Sequence, residues 1–187
     1  HATLAARLKS ARLAVGIESK PLALAAGLSE TTAWAIEVEG RVPGADTAER
    51  LARALNISPC FLAYGVEGEA LPPLGPDEPL RAAGCGARLQ RLREAQGLSK
   101  LALGRAAGID GSAVLPIESG KVIPSVATAE ALAVALGCSP CWLAYAEGPD
   151  PLLDPRGAAA ELAAVKYRPP RSPRKPPATR RVRSLRR

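Results

Sequence analysis

Rings, imidazoles and thioethers are scarce in this chain: its 187 residues include one His, no Met, one Phe, two Trp and three Tyr. With so few large side chains, Leu, Ala, Val and Ile must build the interior, which favours short helices packed closely together. The lone histidine is residue 1, so no imidazole stands ready as a catalytic base. No paired carboxylates fall on a shared motif and no Gly-rich phosphate loop follows a strand. Cysteine chemistry needs a neighbouring base, and none is evident, so an enzyme is the least expected class. No apolar run reaches the roughly 20 residues of a membrane helix. The longest candidate, Ala131 to Ala146, is broken by Gly137, Ser139 and Pro140. The start lacks a basic segment followed by an apolar one, which gives no sign of export. It opens on His1 rather than Met, which reads as a trimmed or fragmentary start. A cytoplasmic protein that meets no membrane is expected.

Cysteines number only four. Cys138 and Cys141 form a Cys-x-x-Cys, but no second pair or histidine cluster accompanies it, and zinc would need Cys85 or Cys60 recruited from far away. Buried, reduced thiols acting as small apolar side chains are expected instead, with no metal and no cofactor.

Charge is present but unevenly placed. The chain carries a net +7, yet residues 166–187 hold ten Lys/Arg and no acid, while residues 1–165 hold 15 basic and 18 acidic residues. The basicity belongs to a tail, and the remainder is faintly acidic.

The chain is also nearly written twice. Residues 6–64 and 87–145 align without a gap at an offset of 81, with 26 identical pairs in 59 positions. Ser58-Pro59-Cys60-Phe61-Leu62-Ala63-Tyr64 is matched by Ser139-Pro140-Cys141-Trp142-Leu143-Ala144-Tyr145. A period of this length is too long for a solenoid unit and suits a small domain in two copies.

The second copy is the easier to read. Leu89, Leu92 and Ala95 share one face of a helix over 87–96, which Gly97 stops. Ser99 caps a second helix to about Ala107, and Gly108 makes the turn. Asp110 caps a third, ended by Glu118-Ser119-Gly120-Lys121. A fourth covers 125–136, and a fifth starts at Pro140, a favoured first-turn residue. The first copy repeats the plan over 3–15, 19–26, 30–37, 45–55 and 59–64. Residues 66–83 hold Pro72, Pro73, Gly75, Pro76 and Pro79 with four acids, and read as a partly stiff acidic linker. Beyond Gly148-Pro149-Asp150-Pro151, residues 157–165 can form one short Ala-rich helix. From Tyr167 the chain is Pro and Arg with little to bury, and is expected to be disordered.

A helix, a glycine turn and a second helix at this spacing resemble the phage-repressor-like helix-turn-helix family, the Cro/C1 or XRE type. In the second copy the resemblance rests on Arg93, Gly97-Leu98-Ser99, Leu103, Ala107-Gly108-Ile109, Val114, Ile117-Glu118-Ser119-Gly120-Lys121, Pro124, Leu132, Ala135-Leu136-Gly137 and Trp142-Leu143. In the first it rests on Arg12, Gly16-Ile17, Leu22, Ala26-Gly27-Leu28-Ser29, Ile36-Glu37, Pro43, Leu51, Ala54-Leu55 and Phe61-Leu62. The resemblance implies an all-α protein of two tandem five-helix, lambda-repressor-like domains. Its expected divisions are 3–65 and 84–147 for the domains and 66–83 for the Pro-rich linker. A connecting segment with its short helix follows over 148–165, then the disordered basic tail over 166–187. It further implies structural ion pairs, Arg12 with Glu37 and Arg93 with Glu118. Of the residues in the last helices, Leu62 and Leu143 read as core, whereas Trp142 suits either the core or a dimer surface.

In such proteins the third helix enters the major groove and the start of the second holds phosphate. Carried over position by position, the second helix starts at Ser19, with Lys20 beside it, and at Lys100. The outward positions of the third become Ser29, Glu30, Thr31, Thr32, Trp34 and Ala35, and then Asp110, Gly111, Ser112, Ala113, Leu115 and Pro116. Arg41 and Lys121 follow as phosphate contacts. The expected DNA-binding set is therefore Ser19, Lys20, Ser29, Thr31, Thr32, Trp34, Arg41, Lys100, Ser112 and Lys121.

These faces are unusual readers. Base discrimination commonly uses Arg to guanine or Asn/Gln to adenine, and neither third helix offers one at those positions. Trp34 and Leu115 are apolar where polar groups are usual. Pro116 costs about 3 kcal/mol inside a regular helix, so the third helix of the second copy is expected to be short or kinked. The leading reading is a transcriptional regulator on double-stranded DNA, its two copies paired within the chain or across a homodimer. Half-sites about one helical turn apart, ~34 Å, would suit it, and the tail would add sequence-blind phosphate attraction. The alternatives are a scaffold that docks a protein partner on its apolar third helices, and nucleic-acid binding by the tail alone.

Overall fold

The computed structural model describes residues 2–164, so the expectation for the tail at 166–187 lies outside the described residues. The first copy folds as α1 (Leu4–Ala14), α2 (Ser19–Ala25), α3 (Thr32–Val38), α4 (Ala45–Ala54) and α5 (Pro59–Tyr64). The second opens on a 3-10 turn, Arg81–Gly84, and continues as α6 (Cys85–Ala95) and α7 (Lys100–Ala107). A second 3-10 turn, Gly111–Ala113, leads into α8 (Val114–Glu118), α9 (Val126–Ala135) and α10 (Pro140–Tyr145). A last helix, α11, covers Pro155–Ala164. The protein is all-α. Among the described residues the only extended pairing is a single antiparallel bridge between Gly44 and Ser125.

Local chemistry explains the element ends. Thr3, Ser58, Ser99 and Ser125 each accept a hydrogen bond from the backbone N–H three residues on, at the starts of α1, α5, α7 and α9. Each thereby satisfies a donor that the first helical turn leaves free. The turns between α2 and α3 and between α7 and α8 need a left-handed residue, which Gly27 (φ +67°) and Gly108 (φ +69°) supply without a Cβ penalty;. The expected interruption by Pro116 takes a definite form. The chain winds first as a 3-10 turn, so α8 begins only at Val114. Pro116 then falls in its first turn, where a missing N–H costs nothing.

Each copy closes on its own apolar core, around Leu8, Leu22, Ile36, Leu51 and Leu62 in the first and Leu89, Leu103, Ile117, Leu132 and Leu143 in the second. Trp142 joins the second core at 4% exposed, with the Arg91 guanidinium 5.7 Å from its ring centre. Arg12 donates to both carboxylate oxygens of Glu37 at 2.8 and 2.9 Å, and to the carbonyl of Ile17. Arg93 makes the same contacts with Glu118 and Leu98. Bonding to the carboxylate holds both guanidinium pKa values up. Arg7 and Arg88 also act alike: each donates to the two carbonyls near the end of its last helix, Leu62 and Ala63 or Leu143 and Ala144, at 2.7–3.0 Å. They occupy acceptors that the helix end leaves open.

A third core joins the copies, built from Ala45, Ala48, Cys60 and Ala63 against Val126, Ala129, Cys141, Ala144 and Tyr145. Its contacts are reciprocal at the repeat offset. Ala45 N–H donates to the Pro124 carbonyl at 2.9 Å, and Val126 N–H to that of Pro43 at 3.0 Å. The Tyr64 hydroxyl reaches the Val126 carbonyl at 3.4 Å, and that of Tyr145 reaches Ala45 at 3.3 Å. Residues exchanged this way between equivalent positions define an approximate two-fold axis running between α4–α5 and α9–α10.

The segment between the copies, expected as an acidic spacer, is strapped to the first one. Leu71 is buried, Arg53 donates to the Pro72 carbonyl at 3.4 Å and pairs with Glu78 at 2.8 Å. Fully buried Glu49 accepts from Arg53 at 3.1 Å and from the N–H groups of Arg81 and Ala82 at 3.0 and 2.8 Å. Contact with Arg53 holds the Glu78 carboxyl below its usual range.

Candidate nucleic-acid interface

In the first copy, a shallow hollow opens between the start of α2 and the start of α3, with Ser19, Lys20, Glu30, Thr31 and Trp34 on its rim and Arg12 and Glu18 beside them. Ser19 is half-buried, while Lys20 and Thr31 are exposed. Lys20 pairs with Glu30 at 2.6 Å, both ends open to solvent. Such an exposed pair is worth at most about 1 kcal/mol, so an arriving phosphate can displace it. Ser29 and Thr32 are tied to each other by their hydroxyls at 2.6 Å, which leaves Thr31 the freer hydroxyl of this turn. Trp34 is 47% exposed, whereas Ala35 is buried at 6% and turns into the core. The expectation that Ala35 faces outward is therefore corrected. α3 starts at Thr32 rather than residue 30, and Ala35, beside the core residue Ile36 and with only a methyl to expose, is covered by its neighbours.

The second copy packs its turn more tightly at this end. Gly104 and Gly111 touch so closely that a Cβ on Gly104 would lie 2.6 Å from the Gly111 Cα, and one on Gly111 would lie 2.7 Å from the Leu101 side chain. These contacts draw the turn before α8 down onto α7. Asp110 spends its side chain capping that turn, accepting from Ser112 N–H at 2.8 Å, and the Ser112 hydroxyl together with that N–H holds its pKa down. Ser112 is exposed and Leu115 is 58% exposed. Lys100 leans toward Glu118 at 3.4 Å, sharing that carboxylate with Arg93. Arg41 and Lys121 stand exposed after α3 and α8.

The fold thus groups Ser19, Lys20, Ser29, Thr31, Thr32 and Trp34 at one end of the first copy, and Lys100 and Ser112 at the equivalent end of the second. All four cysteines are free and buried. Among the described residues no group of three or more His, Cys, Asp or Glu side chains is disposed to hold a metal. No helix among them is long and apolar enough to cross a membrane. Sequence reasoning missed Arg7, Arg88, Glu49 and Arg53. The signal for the first three was available: their charges are among the residues identical at the repeat offset.

Comparison with known proteins agrees with this geometry. Residues 8–62 match the family described as helix-turn-helix, and residues 85–144 match the family described as helix-turn-helix domain. The chain is a tandem helix-turn-helix protein of the phage-repressor-like, XRE type. Solved structures with similar segments include the restriction-modification controller protein C.AhdI from Aeromonas hydrophila, at 37% identity over 33% of this chain and 90% of that one, TM-score 0.32. The clp gene regulator ClgR from C. glutamicum is 26% identical over 35% of this chain and 86% of that one, TM-score 0.33. The P22 c2 repressor, solved with a synthetic operator, is 29% identical over 35% of this chain and 94% of that one, TM-score 0.31. None of the curated proteins matches the chain.

Proposed function

We propose that this protein is a DNA-binding transcriptional regulator that carries both halves of a repressor-like pseudo-dimer on one chain. The observation that carries the reading is the reciprocal seam, where Pro43 and Pro124 exchange backbone hydrogen bonds with the opposite copy. Two helix-turn-helix units fixed about a two-fold axis suit two half-sites on one duplex. In this reading residues 3–65 and 84–147 are the two domains. Ser19, Lys20, Arg41, Lys100 and Lys121 meet phosphate, with Ser29, Thr32 and Ser112 lining the approach. Thr31 and Trp34 read the bases, the indole against a thymine methyl. The basic run at 166–187 adds phosphate attraction that fades with salt;.

The experiment is selection of the full chain on random duplex pools across a salt series. Enrichment of the same defined motif at every salt concentration that still permits binding is the expected result. Binding that is steeply salt-dependent and enriches no sequence defeats the base-reading claim. The exposed Trp34 and Leu115 favour a second reading, in which the same faces dock a protein partner. That reading gains if no motif emerges.

A further inference from the structure

We propose that Cys60 and Cys141 form a disulfide across the seam between the two copies when the protein meets a hydroperoxide, a modification site independent of DNA binding. The two cysteines are equivalents at the repeat offset, and each is the second residue of its helix, after Pro59 in α5 and Pro140 in α10. These helices pack against one another across the approximate two-fold axis. A residue close to such an axis meets its own equivalent. Both side chains are buried in the one core shared by the copies, and Cys141 lies near enough to Cys60 to disfavour its thiolate. Tyr64 and Tyr145, four residues further along each helix, repeat the meeting, with ring centres 6.3 Å apart. A disulfide needs side chains that converge, and equivalent side chains buried together beside an axis do so. Cys85 and Cys138 belong instead to the core of the second copy, where a bridge would join nothing across the seam.

The closed seam restrains the chemistry. Burial, with Cys141 and the Glu147 carboxylate close by, pushes the Cys60 thiol far above its usual range. Because the thiolate is the nucleophile, oxidation waits for the copies to part. An exposed Cys60 thiolate then attacks one peroxide oxygen and the O–O bond breaks. The sulfur becomes a sulfenic acid, and the departing hydroxide takes a proton to leave as water. Before the seam closes, the Cys141 thiol gives its proton to water and attacks that sulfur. The S–S bond forms, the S–O bond breaks, and a second hydroxide leaves as water on protonation. Two thiols lose two electrons and one hydrogen peroxide becomes two waters.

The test treats the full chain with hydrogen peroxide, blocks remaining thiols, and determines intact mass and a non-reducing peptide map. The expected product has lost two hydrogens, is restored by dithiothreitol, and yields one linked peptide joining Cys60 to Cys141. Its rate should rise in urea below the unfolding transition. Cys60→Ala and Cys141→Ala should each abolish the linked peptide, and Cys85→Ala should retain it. A Cys85–Cys138 link, a sulfinic acid without a bridge, bridges only between chains, or no reaction overturns the proposal. Should an alanine variant fail to fold, the map of the unmutated chain still decides.

Discussion

The same glutamate has opposite surroundings in the two copies. Glu49 is fully buried and accepts from Arg53 and from two backbone N–H groups of the strap. Its equivalent, Glu130, is half-buried, faces Arg7 only at longer range, and has its pKa raised by burial. The residue equivalent to Arg53 is Val134. A carboxylate is stabilising inside a protein only when its lone pairs are occupied, and the strap occupies them on one side alone. Repetition of sequence therefore does not carry repetition of energetics: the partner segment decides.

Substitutions at equivalent positions can break this comparison. The largest effect is expected for Glu49→Gln, which sets an amide N–H against a strap donor and removes the buried charge facing Arg53, leaving it only Glu78, at a cost of about 3 kcal/mol or more;. Urea unfolding measures it, and a cost equal to that of Glu130→Gln would refute the asymmetry. Next comes Thr31→Ala, which should weaken selective DNA binding by about 1 kcal/mol, whereas Ser112→Ala should leave it unchanged. Equal losses in a binding titration would show that both copies read bases alike. The smallest effect is that of Glu130→Gln. Because burial raises the folded pKa of Glu130, its contribution to stability is full below the unfolded pKa and lost as pH rises through the folded pKa;. The glutamine should therefore raise the melting temperature slightly at neutral pH, and the gain should vanish below the ordinary carboxylate range. A gain that persists in acid would point to packing rather than charge.

Much of the scaffold was legible because the chain states it twice. Four charged positions are identical between the copies, at Arg7, Arg12, Glu37 and Glu49 and their equivalents. The first three serve the interior in both copies rather than the candidate interface. Glycine turns and serine caps were readable for a different reason, since their chemistry is local. The strap was not legible. Glu49 and Arg53 are spaced as a solvent-exposed helical ion pair, and only the return of residues 71–82 over them reveals a buried network. The candidate interface was legible in part. Position by position, the helix pattern turned Thr31 and Trp34 outward, and both are exposed. It misjudged Ala35, because burial of so small a side chain beside Ile36 depends on tertiary neighbours that a helix pattern does not show.

The reciprocal seam also alters how this protein can change over generations. In a pair of identical chains, every substitution appears on both sides of the axis at once, so an improvement on one side is tied to whatever it does on the other. Here the axis runs within one chain, and the partners meet at an effective concentration set by their tether rather than by expression level. Each side can drift alone without losing its mate. The 33 unmatched positions among the 59 aligned ones, the strap on one side and the glycine-drawn turn on the other, are what such independence leaves behind.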